Sequence, residues 1–168
     1  MPTTFVKGDI FEPADAPGAA KKPRALAFAA DCSGSMDKGI AVAFKKRWPA
    51  LEEAYRGRAM GGKMHPGDVF PWKEGDDVIY VLGMQQGDKK PRVSTLQKAL
   101  ETMIARAIED GIDQIALPRI GAGKGGIDRV RVKKILTEAG DRSPVGLIVY
   151  EQFVRTKGDE TEVKTGDS

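Results

Sequence analysis

Six consecutive residues of the chain are suited to anion binding: Gly121, Ala122, Gly123, Lys124, Gly125 and Gly126. Glycines allow backbone N–H groups to approach an anion closely, and a helix predicted to begin near Ile127 would point its positive dipole end at the same place. A strand is predicted just before this segment and a helix just after it, which favours an anion-binding loop. The alternative is that a glycine-rich turn merely connects the strand to the helix.

Two familiar phosphate motifs can be excluded for this segment. Gly121, Gly123 and Gly126 have the G-x-G-x-x-G spacing of dinucleotide-binding proteins. The segment lies on the last predicted βαβ unit, however, and no acidic residue closes a following strand about 20 residues further on. Lys124 is not followed by Ser or Thr, as a Walker loop requires. Neither a nicotinamide site nor a Walker loop is predicted.

A second strand-to-helix loop, Ser33–Ile40, also contains glycines and hydroxyl groups. Its candidate ligand-binding residues are Ser33, Gly34, Ser35, Met36, Gly39 and Ile40. Taken alone, it suits ordinary capping of the next helix by Ser35 or Asp37. Two loops at the carboxyl ends of parallel strands can face one crevice, however, so the pair predicts a diphosphate clamp.

These loops are set in an alternation of strands and helices, which predicts an α/β sandwich with a largely parallel sheet. Strands are predicted at Thr3–Val6, Ala25–Ala30, Asp68–Trp72, Val78–Leu82, Ile115–Leu117 and Gly146–Tyr150. Helices are predicted at Ile40–Trp48, Leu51–Tyr55, from Pro91 to Gly111, and Ile127–Ala139. The strand from Asp68 is expected to pair antiparallel with its neighbour through a short turn. The Pro/Ala/Lys-rich stretch Pro13–Pro23 reads as a surface loop.

Composition limits the class of protein. The 168 residues, 40% of them hydrophobic, fit one globular domain, and no apolar run approaches the length of a membrane span. One cysteine, Cys32, and one histidine, His65, provide neither a disulfide nor a zinc cluster. We therefore expect a soluble, cytoplasmic monomer without metal or other cofactor, and no membrane partner.

Three segments together resemble the macrodomain family: Phe5–Ile10 (Phe-Val-Lys-Gly-Asp-Ile), Met36–Phe44 (Met-Asp-Lys-Gly-Ile-Ala-Val-Ala-Phe) and Leu117–Gly123 (Leu-Pro-Arg-Ile-Gly-Ala-Gly). Within that family the chain is similar to the branch that holds the terminal ADP-ribose glycohydrolase and the antitoxin that removes ADP-ribose from DNA. The resemblance implies a three-layer α/β/α macrodomain with a mixed, largely parallel central sheet over residues 1–154. Residues 155–168 contain Gly, Thr and mixed charge without an apolar pattern, so we expect a frayed tail there. The resemblance also implies that the ligand is ADP-ribose or an ADP-ribosylated protein or nucleic acid.

The resemblance further assigns roles to single residues. It implies that Asp9 accepts the adenine amino group, that Ile10 lies against the base, and that Tyr150 and Phe153 cover the adenine or proximal ribose. Each has a structural alternative: Asp9 can cap its own loop, and either aromatic ring can belong to the core. Asp128 matches the catalytic acid of the branch, although an Asp in the first turn of a helix is favoured by the helix dipole in any case.

One feature of the branch is missing. Its enzymes attack the anomeric carbon with a lysine just after the strand that corresponds to Val78–Leu82, and here that position falls within Gly83-Met84-Gln85-Gln86. Lys89 and Lys90 follow several residues later. The sequence therefore leaves open an ADP-ribosyl hydrolase that uses Asp128, a module that binds ADP-ribose without turnover, and a nucleic-acid-binding protein that uses the basic runs Lys45–Arg47 and Lys89–Arg92. The hydrolase is preferred because both loops and Asp128 are present.

Overall fold

The structure of the chain is a computed structural model that describes residues 3–11, 24–87, 89–121 and 126–153. The predicted loop Pro13–Pro23 and the predicted tail therefore lie outside the described residues, as do Ala122, Gly123, Lys124 and Gly125. No helix in the described ranges is long and apolar enough to cross a membrane.

Strands and helices alternate along most of the chain. The six strands are β1 (Thr3–Gly8), β2 (Arg24–Asp31), β3 (Val69–Glu74), β4 (Asp77–Gln85), β5 (Gln114–Pro118) and β6 (Gly146–Phe153). The four helices are α1 (Ile40–Arg47), α2 (Pro49–Met60), α3 (Val93–Glu109) and α4 (Arg129–Asp141).

The strands form one sheet in the order β1-β6-β5-β2-β4-β3. All neighbours in it are parallel except β3 and β4, which pair antiparallel from Val69–Leu82 to Glu74–Asp77. The mixed, largely parallel sheet and the antiparallel strand predicted from the sequence are confirmed. Because five strands run the same way, the carboxyl ends of β1, β2, β4, β5 and β6 lie at one edge of the sheet, called here the carboxyl edge.

Helices cover both faces of the sheet, so the architecture has three layers. One core packs the apolar stripe of α3, with Leu96, Leu100 and Met103, and the buried side of α4 against the sheet. The other core packs α1 and α2 on the opposite face and is rich in aromatic side chains, with the rings of Phe28 and Phe44 stacked 4.1 Å apart. The burial of both faces explains why β4 contains the continuous apolar run Val78–Leu82.

The limits of the elements differ from the predicted ones mainly where proline and glycine act. Pro49 was expected to stop the first helix, but it also occupies the first turn of α2, where the missing N–H costs nothing. α2 then continues to Met60, well beyond the predicted Tyr55. α4 begins at Arg129 rather than at Ile127, which leaves Asp128 as the residue that caps the helix.

Candidate functional site

The two predicted phosphate-binding loops leave neighbouring strands at the carboxyl edge. The loop after β2 leads into α1, the loop after β5 leads into α4, and β2 and β5 pair directly from Arg24–Gln114 to Leu26–Ala116. The helices that follow lie on opposite faces of the sheet, so the two loops part above β2 and β5. Such a parting of adjacent connections is the usual position of a ligand crevice in an open α/β sheet.

The β2–α1 loop begins with a tight turn around Asp31. The side-chain Oδ1 of Asp31 accepts a hydrogen bond from the backbone N–H of Ser33 at 2.8 Å, and its carbonyl accepts one from Gly34 at 3.0 Å. Gly34 has a φ of +103°, and a Cβ atom there would lie 3.2 Å from the Cβ of Ala59 and 3.3 Å from the Cα of Arg56. Only glycine fits this combination of conformation and close contact with α2.

The middle of the same loop has exposed hydroxyl side chains and one buried apolar side chain. Ser33 and Ser35 are exposed, whereas Met36 is 1% exposed and belongs to the core beneath α1. The Met36 side chain therefore fixes the loop to the domain. Ile40, the first residue of α1, is partly buried against the same core.

The alternative role of this loop, helix capping by Ser35 or Asp37, is wrong. The residue that caps α1 is Gly39, with a φ of +60° and no capping hydrogen bond from a side chain. Ser35 Oγ instead donates to Asp37 at 3.2 Å, and Asp37 forms an ion pair with Lys45 at 2.9 Å. The hydrogen bond from Lys45 lowers the pKa of Asp37, and the pair offsets a negative charge in a loop predicted to bind an anion.

The β5–α4 loop is closed at its base by one backbone hydrogen bond. The N–H of Ile127 donates to the carbonyl of Gly121 at 2.7 Å, and Gly121 has a φ of +85°. Ile127 is buried, so its side chain anchors the far end of the loop in the core. Gly126 is described and partly buried, and the four residues between Gly121 and Gly126 lie outside the described ranges. Gly121–Ile127 therefore forms a closed loop directly before α4.

Asp128 caps α4. Its side-chain Oδ2 accepts a hydrogen bond from the backbone N–H of Arg131 at 3.2 Å, and the residue is exposed. Asp128 therefore has the structural role that the sequence also suggested, which is to stabilise the start of a helix. It does so as the capping residue, not from within the first turn. An exposed carboxylate next to the closed glycine loop also remains available to a ligand in that loop, because a carboxylate has about four acceptor sites.

The end of β1 contributes Asp9 and Ile10 to the carboxyl edge. Asp9 Oδ1 accepts a hydrogen bond from the N–H of Phe11 at 2.9 Å, which shapes the turn after the strand. Ile10 is fully buried and packs with Ala116, Ile148 and Tyr150. Contact of these two residues with a base stays a prediction; the second Asp9 oxygen has the chemistry to accept from an adenine amino group.

Tyr150 is 5% exposed and lies in the same small core as Ile10. Its hydroxyl group is buried, and no hydrogen-bond partner lies near it among the described residues. A Cβ atom added to Gly8 would stand 3.9 Å from its ring, which places Tyr150 below the turn that carries Asp9. Tyr150 is thus a core residue, which is the structural role that the sequence also allowed for it. Its hydroxyl is a buried group without a partner among the described residues, near the candidate site. Phe153 ends β6, and its side chain lies outside the described part of the chain.

The segment that lacks the expected lysine has an irregular geometry. Ala30 pairs with Gly83 but Asp31 pairs with Gln85, so Met84 is left over in the ladder. A bulge of this kind redirects a side chain. Met84 is 4% exposed, and its methyl group lies 3.4 Å from the position of a Cβ on Gly121. A thioether that cannot form an iminium therefore lies beside Gly121, while Lys89 and Lys90, which follow Gly87 in the chain, are exposed.

The remaining reactive groups at this edge are either inert or engaged. Burial, together with the negative charges of Asp31 and Asp68, raises the pKa of Cys32 to about 11, so its thiol stays protonated at neutral pH. In the first basic run, Lys45 pairs with Asp37 and Glu52, and Arg47 stacks over the Phe11 ring. Within the described ranges no group of His, Cys, Asp and Glu side chains could hold a metal ion.

Two charged residues at this edge, Arg119 and Asp31, were not among the residues predicted from the sequence to have a role here. Arg119 joins β5 to β6 through a 2.9 Å ion pair with Glu151, directly before the glycine loop. Asp31 accepts from Ser33 and also from the N–H of Gly87, at 3.4 Å, in the loop after β4. The signal for both was a charged residue directly after a buried strand, a position that is costly unless the charge has a partner.

Comparison with known proteins identifies the family. The model of the Macro domain family matches residues 27–136, and the chain belongs to this family. The human ADP-ribose glycohydrolase OARD1 is 27% identical over 147 residues, which cover 88% of this chain and 90% of the relative. The DNA ADP-ribosyl glycohydrolase of Thermus aquaticus is 29% identical over 159 residues, covering 91% of this chain but 42% of that protein.

Solved structures agree with the sequence relatives. The macrodomain of Thermus aquaticus DarG superposes with a TM-score of 0.76 at 27% identity, covering 89% of this chain and 97% of that one. A macrodomain protein from Streptomyces coelicolor gives a TM-score of 0.74 at 26% identity, covering 89% and 99%. The predicted family and fold are confirmed, and the predicted function agrees with the activities in the names of the relatives.

Proposed function

We propose that this chain binds ADP-ribose at the carboxyl edge and hydrolyses ADP-ribosyl linkages. The observation that carries the proposal is the pair of loops on the neighbouring strands β2 and β5, one shaped by Gly34 and Gly39 and the other closed by the bond between Ile127 and Gly121. Backbone N–H groups in two such loops suit an anion with two charged groups, such as a diphosphate. The names of the relatives, which are glycohydrolases of ADP-ribose conjugates, support the reaction.

In this proposal the diphosphate lies between the two loops. The residues proposed to contact it are Ser33, Gly34, Ser35, Met36, Gly39, Ile40, Gly121, Ala122, Gly123, Lys124, Gly125, Gly126 and Ile127. The adenosine half extends toward the end of β1, where Asp9 accepts the amino group and Ile10, Tyr150 and Phe153 form the surroundings of the base and proximal ribose. The distal ribose then falls beside the start of α4, where Asp128 is exposed.

The chemistry proposed there is attack by water. Asp128 orients a water molecule and accepts its proton, the water oxygen bonds to the anomeric carbon, and the bond from that carbon to the modified group breaks. The leaving group takes a proton as it departs. Water is proposed rather than a lysine because the segment Gly83–Gln86 contains no lysine. Met84 of that segment is buried beside Gly121, and Lys89 and Lys90 are exposed. The linkage is that of a modified protein side chain, a nucleobase or a 1''-phosphate.

The second candidate is a module that binds ADP-ribose without turnover. Met84 is the observation that favours it, because the branch places its attacking lysine in this segment and the buried thioether cannot replace an amine. Both candidates require the same binding site, so binding alone does not separate them. Release of ADP-ribose from a conjugate does.

Calorimetry tests the binding step that both candidates share. ADP-ribose should bind with a dissociation constant in about the micromolar range or tighter, and adenosine should bind much more weakly because it lacks the diphosphate. Equal affinity for adenosine and ADP-ribose would show that the two loops do not bind the diphosphate.

We further propose that the chain is a monomer, that it works in the cytoplasm and that its domain ends near residue 154. Light scattering in solution tests the monomer.

A further inference from the structure

Asp31 ends the central strand β2 at the point where the two sides of the candidate site separate. One of its oxygens, Oδ1, accepts two backbone hydrogen bonds from different loops: 2.8 Å from Ser33 N–H and 3.4 Å from Gly87 N–H. Ser33 begins the β2–α1 loop, and Gly87 lies in the loop between β4 and α3. A single carboxylate oxygen therefore joins two loops that are 54 residues apart in the chain.

The backbone of Asp31 is itself held in place. Its carbonyl accepts a 2.7 Å hydrogen bond from the hydroxyl of Tyr55, a fully buried residue of α2. The next N–H, that of Cys32, donates to the carbonyl of Gln85 at 2.9 Å. The backbone at Asp31 is thus bonded to α2 on one side and to β4 on the other. Its carboxylate therefore starts from a backbone position that does not move relative to the sheet.

The Gly87 turn depends on this anchor. Gly87 has a φ of +63° and is exposed, and its carbonyl accepts a 3.3 Å hydrogen bond from the Gln85 side-chain amide. The turn around it also has a 3.3 Å hydrogen bond from the Lys89 N–H to the Gln86 carbonyl. An exposed turn with few bonds opens readily. Loss of the Asp31 acceptor would free the Gly87 N–H and the Ser33 N–H together.

We propose that Asp31 is a positioning residue that sets the spacing between the β2–α1 loop and the β4–α3 loop on the rim of the ligand crevice. The role rests on the proposed ADP-ribose site. It requires a hydrogen-bond acceptor rather than a base, because both partners are backbone N–H groups. Loose loops hold a ligand in more than one arrangement, which weakens binding and slows any reaction that needs alignment.

Three substitutions separate these requirements. Asp31→Asn keeps an acceptor oxygen at the same reach, Asp31→Ser keeps one that reaches only the N–H two residues on, and Asp31→Ala removes both bonds. Asp141→Ala, an exposed aspartate at the end of α4, is the matched control. The first readout is exchange of the backbone amide hydrogens of Ser33 and Gly87, measured by NMR on the protein without ligand.

Asp31→Ala should speed exchange of both amides about tenfold or more, Asp31→Ser should speed that of Gly87 alone, and Asp31→Asn should leave both within about threefold. The second readout is affinity. Asp31→Ala should weaken ADP-ribose binding by about tenfold to a hundredfold while adenosine affinity changes less than about twofold, and Asp31→Asn should bind almost as the wild type.

Unchanged amide exchange in Asp31→Ala, or an Asp31→Asn variant as impaired as the alanine variant, would overturn the positioning role. If Asp31→Ala does not fold, the serine and asparagine variants still decide through the Gly87 amide. A wild-type protein that does not bind ADP-ribose would defeat the proposed function, and the amide measurements would still test the link between the loops.

Discussion

The Asp128 side chain accepts a 3.2 Å hydrogen bond from the Arg131 N–H and so caps α4 at the end of the glycine loop. The Asp128 carboxylate thus caps the helix in the structure, and we propose that it also acts as the catalytic base. Substitution by alanine would remove both. The two tasks can be separated because asparagine caps helices about as well as aspartate but is not a base.

Asp128→Asn should therefore keep the thermal stability and the ADP-ribose affinity of the wild type but lower turnover by about two orders of magnitude or more. Asp128→Ala should lose similar activity and also about 1 kcal/mol of stability from the missing cap. Thermal unfolding, calorimetry and a turnover assay provide the three readouts. Full activity in Asp128→Asn would restrict Asp128 to capping.

The absence of a lysine from the segment Gly83–Gln86 leads to a prediction about intermediates. If water attacks directly, borohydride added during turnover should trap no ADP-ribose on the protein, because the segment Gly83–Gln86 has no amine that could form an iminium. Mass spectrometry of the intact chain gives the measurement, and Lys89→Ala and Lys90→Ala should each turn over at nearly the wild-type rate. A trapped adduct that one of these two substitutions abolishes would establish a lysyl nucleophile instead.

Gly34 should be essential to the β2–α1 loop for steric reasons. Its φ of +103° is unfavourable for alanine, and a Cβ atom would crowd α2 at 3.2–3.3 Å, so Gly34→Ala should displace the loop and weaken ADP-ribose binding at least about tenfold. Gly111→Ala is the control, because Gly111 has a φ of +73° but nothing within 4 Å of its Cβ position. Both variants should lose about 1–2 kcal/mol of stability, but only Gly34→Ala should lose affinity. If calorimetry gives Gly34→Ala and Gly111→Ala the same affinity for ADP-ribose, the β2–α1 loop does not contact the ligand.

The buried hydroxyl of Tyr150 tests whether the small core beneath Asp9 takes part in binding. Because the hydroxyl has no partner among the described residues, Tyr150→Phe should leave the stability of the free protein unchanged or slightly raised. If ligand or an ordered water uses the hydroxyl, the same variant should bind ADP-ribose several-fold more weakly. Thermal shifts with and without ADP-ribose measure both effects. A variant that loses stability in the free state would indicate an internal partner instead.

The sequence allowed the sheet, the helices and the two loops to be predicted because each depends on local signals. Alternating strands and helices, glycines after strands, and the apolar stripe of α3 are short-range patterns. The partners of Asp31 and Arg119 were not predictable in this way, because Gly87 and Glu151 are distant from them in the chain. The bulge that sets Met84 apart also depends on pairing between β2 and β4, which no local pattern records.

The capping residues illustrate the same limit. Ser35 and Asp37 have the side chains that usually cap helices, yet a glycine at residue 39 caps α1 because the loop enters the helix with a φ of +60°. The Ser35 hydroxyl instead donates to the Asp37 carboxylate, which also accepts from Lys45. Asp128, in contrast, caps α4 through its side chain. Residue type indicated the chemistry available in both loops, and tertiary contacts decided how it was used.

The most direct test of the central claim is incubation of the purified chain with ADP-ribosylated protein, ADP-ribosylated DNA and ADP-ribose 1''-phosphate, followed by measurement of free ADP-ribose. Free ADP-ribose should be released from at least one of the three, and Asp128→Asn should lower that rate about a hundredfold or more. A wild-type protein that binds ADP-ribose well but releases none from any of the three would contradict the hydrolase proposal and identify the chain as a binding module.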